Sequence, residues 1–111
     1  IVFTTEGQEV KTGKQTQKLA DSNPIKTVYH LWEKHYGEID RSSWDQISTL
    51  FAVKGESDYF TLKKGNLIFS MEDGATWESS ATGQDYRLYN KITNEELAAV
   101  IEELMIQTPE K

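Results

Sequence analysis

Two histidines are the side chains of this sequence best suited to metal binding or acid–base catalysis. His30 and His35 lie five positions apart. A metal site on one helix needs the i, i+4 spacing of the H-E-x-x-H pattern, because that spacing puts both imidazoles on one face. A separation of five, at about 100° per residue, turns the two rings about 140° apart. We therefore predict no metal site, and we expect Glu33 to form a surface hydrogen bond with His30.

Motifs for nucleophilic or nucleotide chemistry are absent from the sequence. There is no G-x-S-x-G nucleophile elbow and no glycine-rich phosphate loop after a predicted strand, so we predict no catalytic residue and no cofactor. Cysteine is also absent, which removes disulfides, thiolate nucleophiles and cysteine-based zinc sites. A Ser-His-acid triad assembles across a fold rather than along a sequence. A small hydrolase or ligand-binding domain that uses one histidine with a nearby carboxylate is therefore the alternative hypothesis.

Composition narrows the class of partner. The chain has 111 residues, enough for one hydrophobic core, and a formal net charge of −6 with scattered lysines. This charge argues against nucleic acid as a partner and favours a basic protein. No apolar run approaches the roughly 18 residues that a membrane span requires. The chain starts at Ile1 without Met, as a mature exported or cell-envelope protein or a trimmed chain would.

Three helices are predicted from capping residues and apolar periodicity. Asn23 and Pro24 start the first helix, which ends near Tyr36 before a glycine. A second helix is expected from Ser42 or Ser43, with a strand over residues 50–53 as the alternative. The third starts with the capping box Thr93 to Glu96. The side chains expected to be buried on these helices are Ile25, Val28, Tyr29, Trp32, Tyr36, Trp44, Ile47, Leu50, Phe51, Leu97, Val100, Ile101, Leu104 and Met105.

Between Asp58 and Ile92 the apolar period changes from that of a helix to that of strands. We predict strands over 59–63 and 67–71, joined by a tight turn at Lys64-Gly65-Asn66. Two further turns lead into strands over 76–79 and 85–89. This stretch therefore predicts three to four strands in antiparallel hairpins.

Alternation along these strands sorts their side chains into two faces. The expected core face carries Phe60, Leu62, Leu67, Phe69, Met71, Trp77, Tyr86 and Leu88. The opposite face is expected to carry Tyr59, Thr61, Lys63, Ile68, Ser70, Arg87 and Tyr89. Tyrosine and arginine are enriched in protein interfaces. We therefore predict a binding surface made of Tyr59, Lys63, Arg87 and Tyr89.

The most specific local pattern is the eight-residue stretch that runs from Ser70 through Glu72, Asp73 and Gly74 to Trp77. It resembles the Asp-box hairpin of sialidase-like propellers, S-x-D-x-G-x-T-W, with Glu72 in place of the family's aspartate. The resemblance implies a hairpin held by local side-chain hydrogen bonds with the tryptophan packed beneath it, and it implies no activity. A single box in a chain of this length is incompatible with a propeller. The adjacent carboxylates Glu72 and Asp73 are expected to be solvated turn residues.

These patterns predict an α+β domain in which a short antiparallel sheet of three to four strands packs against N-terminal and C-terminal helices. Residues 4–22 are rich in Thr, Gln, Lys and Gly, and we expect an extended N-terminal arm over 1–22, followed by a single domain over 23–111. Docking of this arm, with Val2 and Phe3 on a sheet edge, is the alternative. The expected function is that of a non-enzymatic protein-binding module. An exported or envelope-associated bacterial protein and an immunity-type inhibitor are the two kinds of module considered.

Overall fold

The structure is a computed structural model that describes residues 1–108, and it confirms the α+β class. The described chain forms three α-helices: α1 (Pro24–Tyr36), α2 (Trp44–Lys54) and α3 (Asn94–Met105). The six strands are β1 (Val2–Phe3), β2 (Lys11–Thr12), β3 (Arg41–Ser42), β4 (Phe60–Ser70), β5 (Gly74–Ser79) and β6 (Asp85–Asn90). One sheet has the order β1-β6-β4-β5, and β2 pairs with β3 in a separate two-stranded sheet.

Local chemistry sets the helix boundaries. The Asn23 side chain accepts a hydrogen bond from the backbone N–H of Ile25, and Gly37 ends α1 in the left-handed conformation with φ 84°. Both bonds of the predicted capping box are present at the start of α3. The alternative of a strand over residues 50–53 is wrong, because these residues belong to α2. None of the helices in residues 1–108 has the length and apolar character that a transbilayer helix requires.

The predicted turn at Lys64-Gly65-Asn66 is wrong. β4 runs without a break through these residues, pairing with β6 over 60–65 and with β5 over 65–70. Gly65 lies at the point where the two ladders meet, and the Trp77 ring lies across it. A glycine inside a strand often marks such a close approach rather than a turn. The predicted hairpin between 70 and 74 is confirmed, and the Ser70 hydroxyl accepts a hydrogen bond from the backbone N–H of Asp73 at 2.9 Å.

An unbroken β4 changes which side chains share a face. Phe60 and Leu62 face the helices with Leu88, and the core side chains are Val10, Ile47, Leu50, Phe60, Leu88, Leu97 and Ile101. Alternation through Gly65 then places Leu67, Phe69 and Trp77 on the opposite face from Phe60, so their assignment to the core face is wrong. Phe69 is 73% exposed. The same shift moves Ile68 and Ser70 to the helix side, and Met71 lies in the turn after β4, fully exposed.

Helix α1 is the element whose predicted burial fails most clearly. Of its predicted apolar stripe, Tyr29 is buried, whereas Ile25, Val28 and Tyr36 are exposed. On the other helices, Trp44 and Leu104 are also exposed. The helical period of α1 was predicted correctly, but the described chain places no covering element over most of its apolar side.

The segment predicted as an extended arm packs along the domain. β1 runs parallel to β6 at the sheet edge, and Val10 is fully buried in the core. A short 3-10 helix (Lys14–Lys18) follows β2, and Thr12 and Thr16 are buried. The backbone N–H of Gly13 donates to the Glu102 carboxylate on α3 at 2.7 Å. Residues 1–22 are therefore tied to both the sheet and the last helix.

The β4–β5 hairpin extends beyond the rest of the sheet. Its distal part, residues 66–78, lies past the end of the β4–β6 ladder and is here called the hairpin arm. The radius of gyration is 16.5 Å, whereas a compact chain of this length has about 13 Å. The hairpin arm contributes to this elongated shape.

Candidate functional site

Three of the four predicted binding residues lie together on one side of the sheet. Lys63 on β4 is directly opposite Arg87 on β6, and Thr61 is opposite Tyr89. Since Leu62 and Leu88 between them point toward the helices, Lys63, Arg87 and Tyr89 point the other way. We call this side, with the neighbouring side chains of Phe3 and Trp77 described next, the open face.

Cations and aromatic rings alternate across the open face. The Lys63 Nζ lies 4.7 Å from the centroid of the Tyr89 ring. The Arg87 Cζ lies 5.0 Å from that same ring and 5.8 Å from the Phe3 ring on β1. These distances are within the range of cation–π attraction, which is worth about 0.5–1 kcal/mol at exposed sites. The Arg87 guanidinium also donates through Nη2 to the Thr5 hydroxyl at 3.1 Å, so its orientation is fixed from both sides.

Trp77 completes the open face, although two strands, β6 and β4, lie between its strand and β1. Its indole ring lies across Gly65, where the absence of a side chain leaves room, and its centroid is 5.2 Å from that of Phe3. Aromatic pairs at this distance attract beyond the effect of their buried area. Phe3 and Trp77 were missed as site residues. Phe3 comes from the segment predicted as an arm, and the false turn at Gly65 put Trp77 on the core face.

Two hydrogen-bond donors on the open face lack an acceptor. The Arg87 Nε and the Trp77 Nε1 are shielded from solvent, and neither finds a partner within the described residues. Both side chains flank the Phe3 ring. A buried donor without an acceptor costs about 1–3 kcal/mol.

The charge of the open face is opposite to that of the whole molecule. Lys63 and Arg87 form no ion pair with any acid of residues 1–108. The one acidic side chain on this face of the strands is Asp85, whose Oδ2 already accepts a hydrogen bond from the backbone N–H of Leu67 at 3.0 Å. A cationic patch therefore lies on a protein with a net charge of −6.

The fourth predicted binding residue, Tyr59, lies apart from the other three. It immediately precedes β4 and is half-buried against the core, with its ring 6.3 Å from that of Phe60. Its carbonyl oxygen accepts a hydrogen bond from the backbone N–H of Lys91. Tyr59 thus anchors the entry to β4.

The histidines of the alternative hypothesis lie on the solvent side of α1. The His30 Nδ1 is 3.8 Å from the Glu33 carboxylate, and the His30 side chain is 72% exposed. His35 is exposed too and stacks edge-on against Tyr36. His30 lines an open groove of about 330 Å³ with Asp21 and Lys26, but its exposed ring lacks the desolvation that catalytic acids and bases usually have. Among the residues that the structure describes, no group of three or more His, Asp or Glu side chains is close enough to hold a metal ion.

A second surface feature is an apolar groove between α2 and α3. It has a volume of about 540 Å³ and is wide open to solvent. Its apolar walls are Leu50 and Val53 on one helix and Ile101, Leu104 and Met105 on the other. Asp45 and Lys54 lie at its rim with opposite charges, so the groove has no preferred sign of ligand charge.

Fold and surface together define a class of protein: a small two-layer α+β domain with helices on one side of its sheet and a cationic, aromatic open face on the other. Comparison with protein-family models, with curated proteins and with solved structures gives no match to this chain. The functional conclusion therefore depends on the geometry of the open face.

Proposed function

We propose that this chain is a non-enzymatic protein-binding module, and that its open face binds an acidic segment of a partner protein. The observation that carries the proposal is the row of Lys63, Tyr89, Arg87, Phe3 and Trp77, in which neither cation has an acidic partner among residues 1–108. Arginine and large aromatic side chains are the residues that dominate binding energy in protein interfaces.

The charge of the open face determines which partner we propose. The net charge of −6 favours a basic partner for the molecule as a whole. On the open face itself the local charge is positive, and this supports an acidic partner at that position. A carboxylate can accept from a guanidinium in a charge-assisted hydrogen bond, which is roughly twice as strong as a neutral one.

The rigidity of the row also supports binding. Arg87 is held between two rings and by Thr5, so little side-chain entropy remains to be lost when a ligand binds. Lys63 is held less firmly, over one ring. We therefore assign the larger share of the binding energy to Arg87 and a steering role to Lys63.

The test compares two double variants with equal change in charge. K63Q/R87Q removes the cations of the open face. K64Q/K91Q removes two exposed lysines elsewhere, since Lys64 lies on the helix side over Tyr86 and Lys91 follows β6. Each protein is titrated by NMR with a short acidic peptide, with a lysine-containing peptide of the same pattern, and with an oligo-dT strand.

The expected result is that the acidic peptide shifts the amide signals of residues 63, 87 and 89 and the indole N–H of Trp77. K63Q/R87Q should weaken this binding about tenfold, as loss of a charge-assisted contact worth about 1.4 kcal/mol would. K64Q/K91Q should change it little. Shifts confined to other surfaces, a preference for the basic peptide, or tighter binding of the oligonucleotide would each contradict the proposal.

A further inference from the structure

The outer edge of β5 carries a row of free backbone groups. The backbone N–H of Ser80 donates to the Lys64 carbonyl at 3.2 Å, which fixes the phase of the β4–β5 ladder. In an antiparallel pair only every second residue bonds to the neighbour. Residues 74, 76 and 78 therefore bond to β4, and the N–H and C=O groups of Ala75, Trp77 and Ser79 point away from it, toward open space.

This edge has few of the features that protect sheet edges. Natural edge strands carry charged side chains, especially lysine, or a proline or a bulge that prevents pairing with another chain. β5 has no lysine, proline or bulge, its one charged residue is Glu78, and most of its residues are exposed. The hairpin arm is also only two strands wide, and a two-stranded hairpin alone is marginally stable in water. Added strands would cover this edge.

We propose that the occupant of this edge is a second copy of the chain, with the two β5 strands antiparallel across a two-fold axis at Trp77. Trp77 then faces Trp77 of the second copy, and Ala75 faces Ser79 of the second copy. By symmetry Ser79 also faces Ala75 of the second copy, which gives three pairs. All of these residues have backbone groups that point outward, so each pair exchanges two hydrogen bonds. The same surface serves both copies, as a two-fold interface requires. The result is a continuous sheet of eight strands.

The side chains fit this register. Glu78 faces Thr76 of the second copy, so no like charges are directly opposite; the two Glu78 side chains are diagonal neighbours, about 7–8 Å apart. Phe69, which is 73% exposed, lies beside Ala75, and the small Ala75 leaves room for the ring to extend over Ser79 of the second copy. The interface thus covers an aromatic ring that the single chain leaves in water.

Charge complementarity supports the same occupant. The turn with Glu72 and Asp73 precedes β5. Lys64 lies beside Ser80, the residue that follows β5. In the antiparallel arrangement Ser80 faces Gly74 of the second copy, so the acidic turn of that copy begins two strand spacings, about 10 Å, from Lys64, a distance that the long Lys64 and Glu72 side chains can span together. Lys64 forms no ion pair with any acid of residues 1–108. A six-residue edge buries less than the roughly 800 Å² per partner of a stable interface, so the dimer forms in a concentration-dependent equilibrium.

The first measurement is sedimentation of the purified chain over a wide range of concentration, together with amide hydrogen exchange. Dimerisation should slow exchange at Ala75, Trp77 and Ser79 as the concentration rises. Thr76 and Glu78, which already bond to β4, should be protected at every concentration. A chain that stays monomeric, or concentration-dependent protection on another element such as α1, would overturn the proposal.

The second measurement uses Ser79→Pro with Ser79→Thr as its matched control. Proline removes an N–H that bonds to nothing within residues 1–108, and the preceding Glu78 is extended, which suits a residue before proline. Because both copies carry the substitution, two of the six inter-chain hydrogen bonds are lost. At about 1 kcal/mol for each bond, dimerisation should weaken about 30-fold. Ser79→Thr keeps the N–H and should dimerise as the wild type does. Unchanged dimerisation in a folded Ser79→Pro protein would refute this register.

A charge exchange keeps the proposal testable if Ser79→Pro does not fold. Lys64→Glu alone and Glu72→Lys alone should each weaken dimerisation a few-fold, because each opposes like charges across the interface. The combined variant should recover the wild-type dimerisation. If the combined variant is no stronger than the single variants, the acidic turn and Lys64 do not meet, and the antiparallel arrangement is wrong. Neither measurement depends on the function proposed for the open face.

Discussion

Gly65→Ala is expected to destabilise the protein, although alanine is normally the better residue inside a strand. A Cβ at position 65 would lie 2.7 Å from Cη2 of Trp77 and would overlap Cζ2 of that ring and the Glu78 carbonyl oxygen. Forcing extra atoms into a packed site costs about 1–3 kcal/mol. Replacing glycine normally recovers about 0.5–1 kcal/mol of backbone entropy. The free energy of unfolding should therefore fall by about 1–2 kcal/mol.

The assay is urea unfolding followed by far-UV circular dichroism, measured in the wild-type background and in Trp77→Val. Two of the three atoms nearest to the added methyl belong to the indole ring and the third is the Glu78 carbonyl oxygen, so without the ring Gly65→Ala should cost about 1 kcal/mol less. Near-UV circular dichroism should show that Gly65→Ala alone moves Trp77 away from Phe3. An increase in stability, or the same cost in both backgrounds, would refute the argument that Trp77 and Gly65 are coupled.

Three other substitutions test the helices. Val28→Ser on α1 should change the free energy of unfolding by less than about 0.5 kcal/mol, because Val28 is 57% exposed. Ile101→Ala in the core should lower it by about 2–5 kcal/mol. Equal losses of stability for the two variants in urea unfolding would show that α1 is covered in solution. The Lys26 ammonium donates to the Asp21 carboxylate at 2.8 Å, and this hydrogen bond together with its charge lowers the pKa of Asp21. A carboxyl whose pKa is lowered in the folded state stabilises the fold above its unfolded pKa, and this contribution is lost as the pH falls through the folded value. Lys26→Met should therefore raise the pKa of Asp21 in an NMR titration, and the stability difference between Lys26→Met and wild type should shrink at low pH; an unchanged pKa would contradict the contact.

The helix boundaries could be predicted because their signals are local. Asn23 and Gly37 determine the ends of α1 through bonds to residues a few positions away, and the capping box acts in the same way on α3. The break predicted at Gly65 is wrong for the opposite reason. The glycine is required by a ring twelve positions further along the chain, and that contact exists only after β5 has paired with β4.

The turn wrongly predicted at Gly65 explains why some residues of the open face could be predicted from the sequence and others could not. The alternation predicted from the sequence holds before the wrongly predicted turn, where Lys63 lies. It also holds on β6, which carries Arg87 and Tyr89. Trp77 lies after that turn and was placed on the wrong face, since a shift of one residue exchanges the two faces of a strand. Phe3 joins through a parallel pairing between residues distant in sequence, for which the local pattern gives no signal. Helical periodicity likewise predicted the stripe of α1 but not whether another element covers it.

The open face and the β5 edge are geometrically linked by the two-fold arrangement that we propose. Residues directly opposite one another in a sheet point to the same side, so both Trp77 rings would lie on one side of the eight-stranded sheet. Both open faces would then share that side, and all the helices would lie on the other. Two cationic rows related by a two-fold axis would fit a partner that presents two acidic segments, because the second contact forms at a high effective concentration once the first has formed. A weak dimer and a modest single contact would in this way combine into firm binding without any further contact surface.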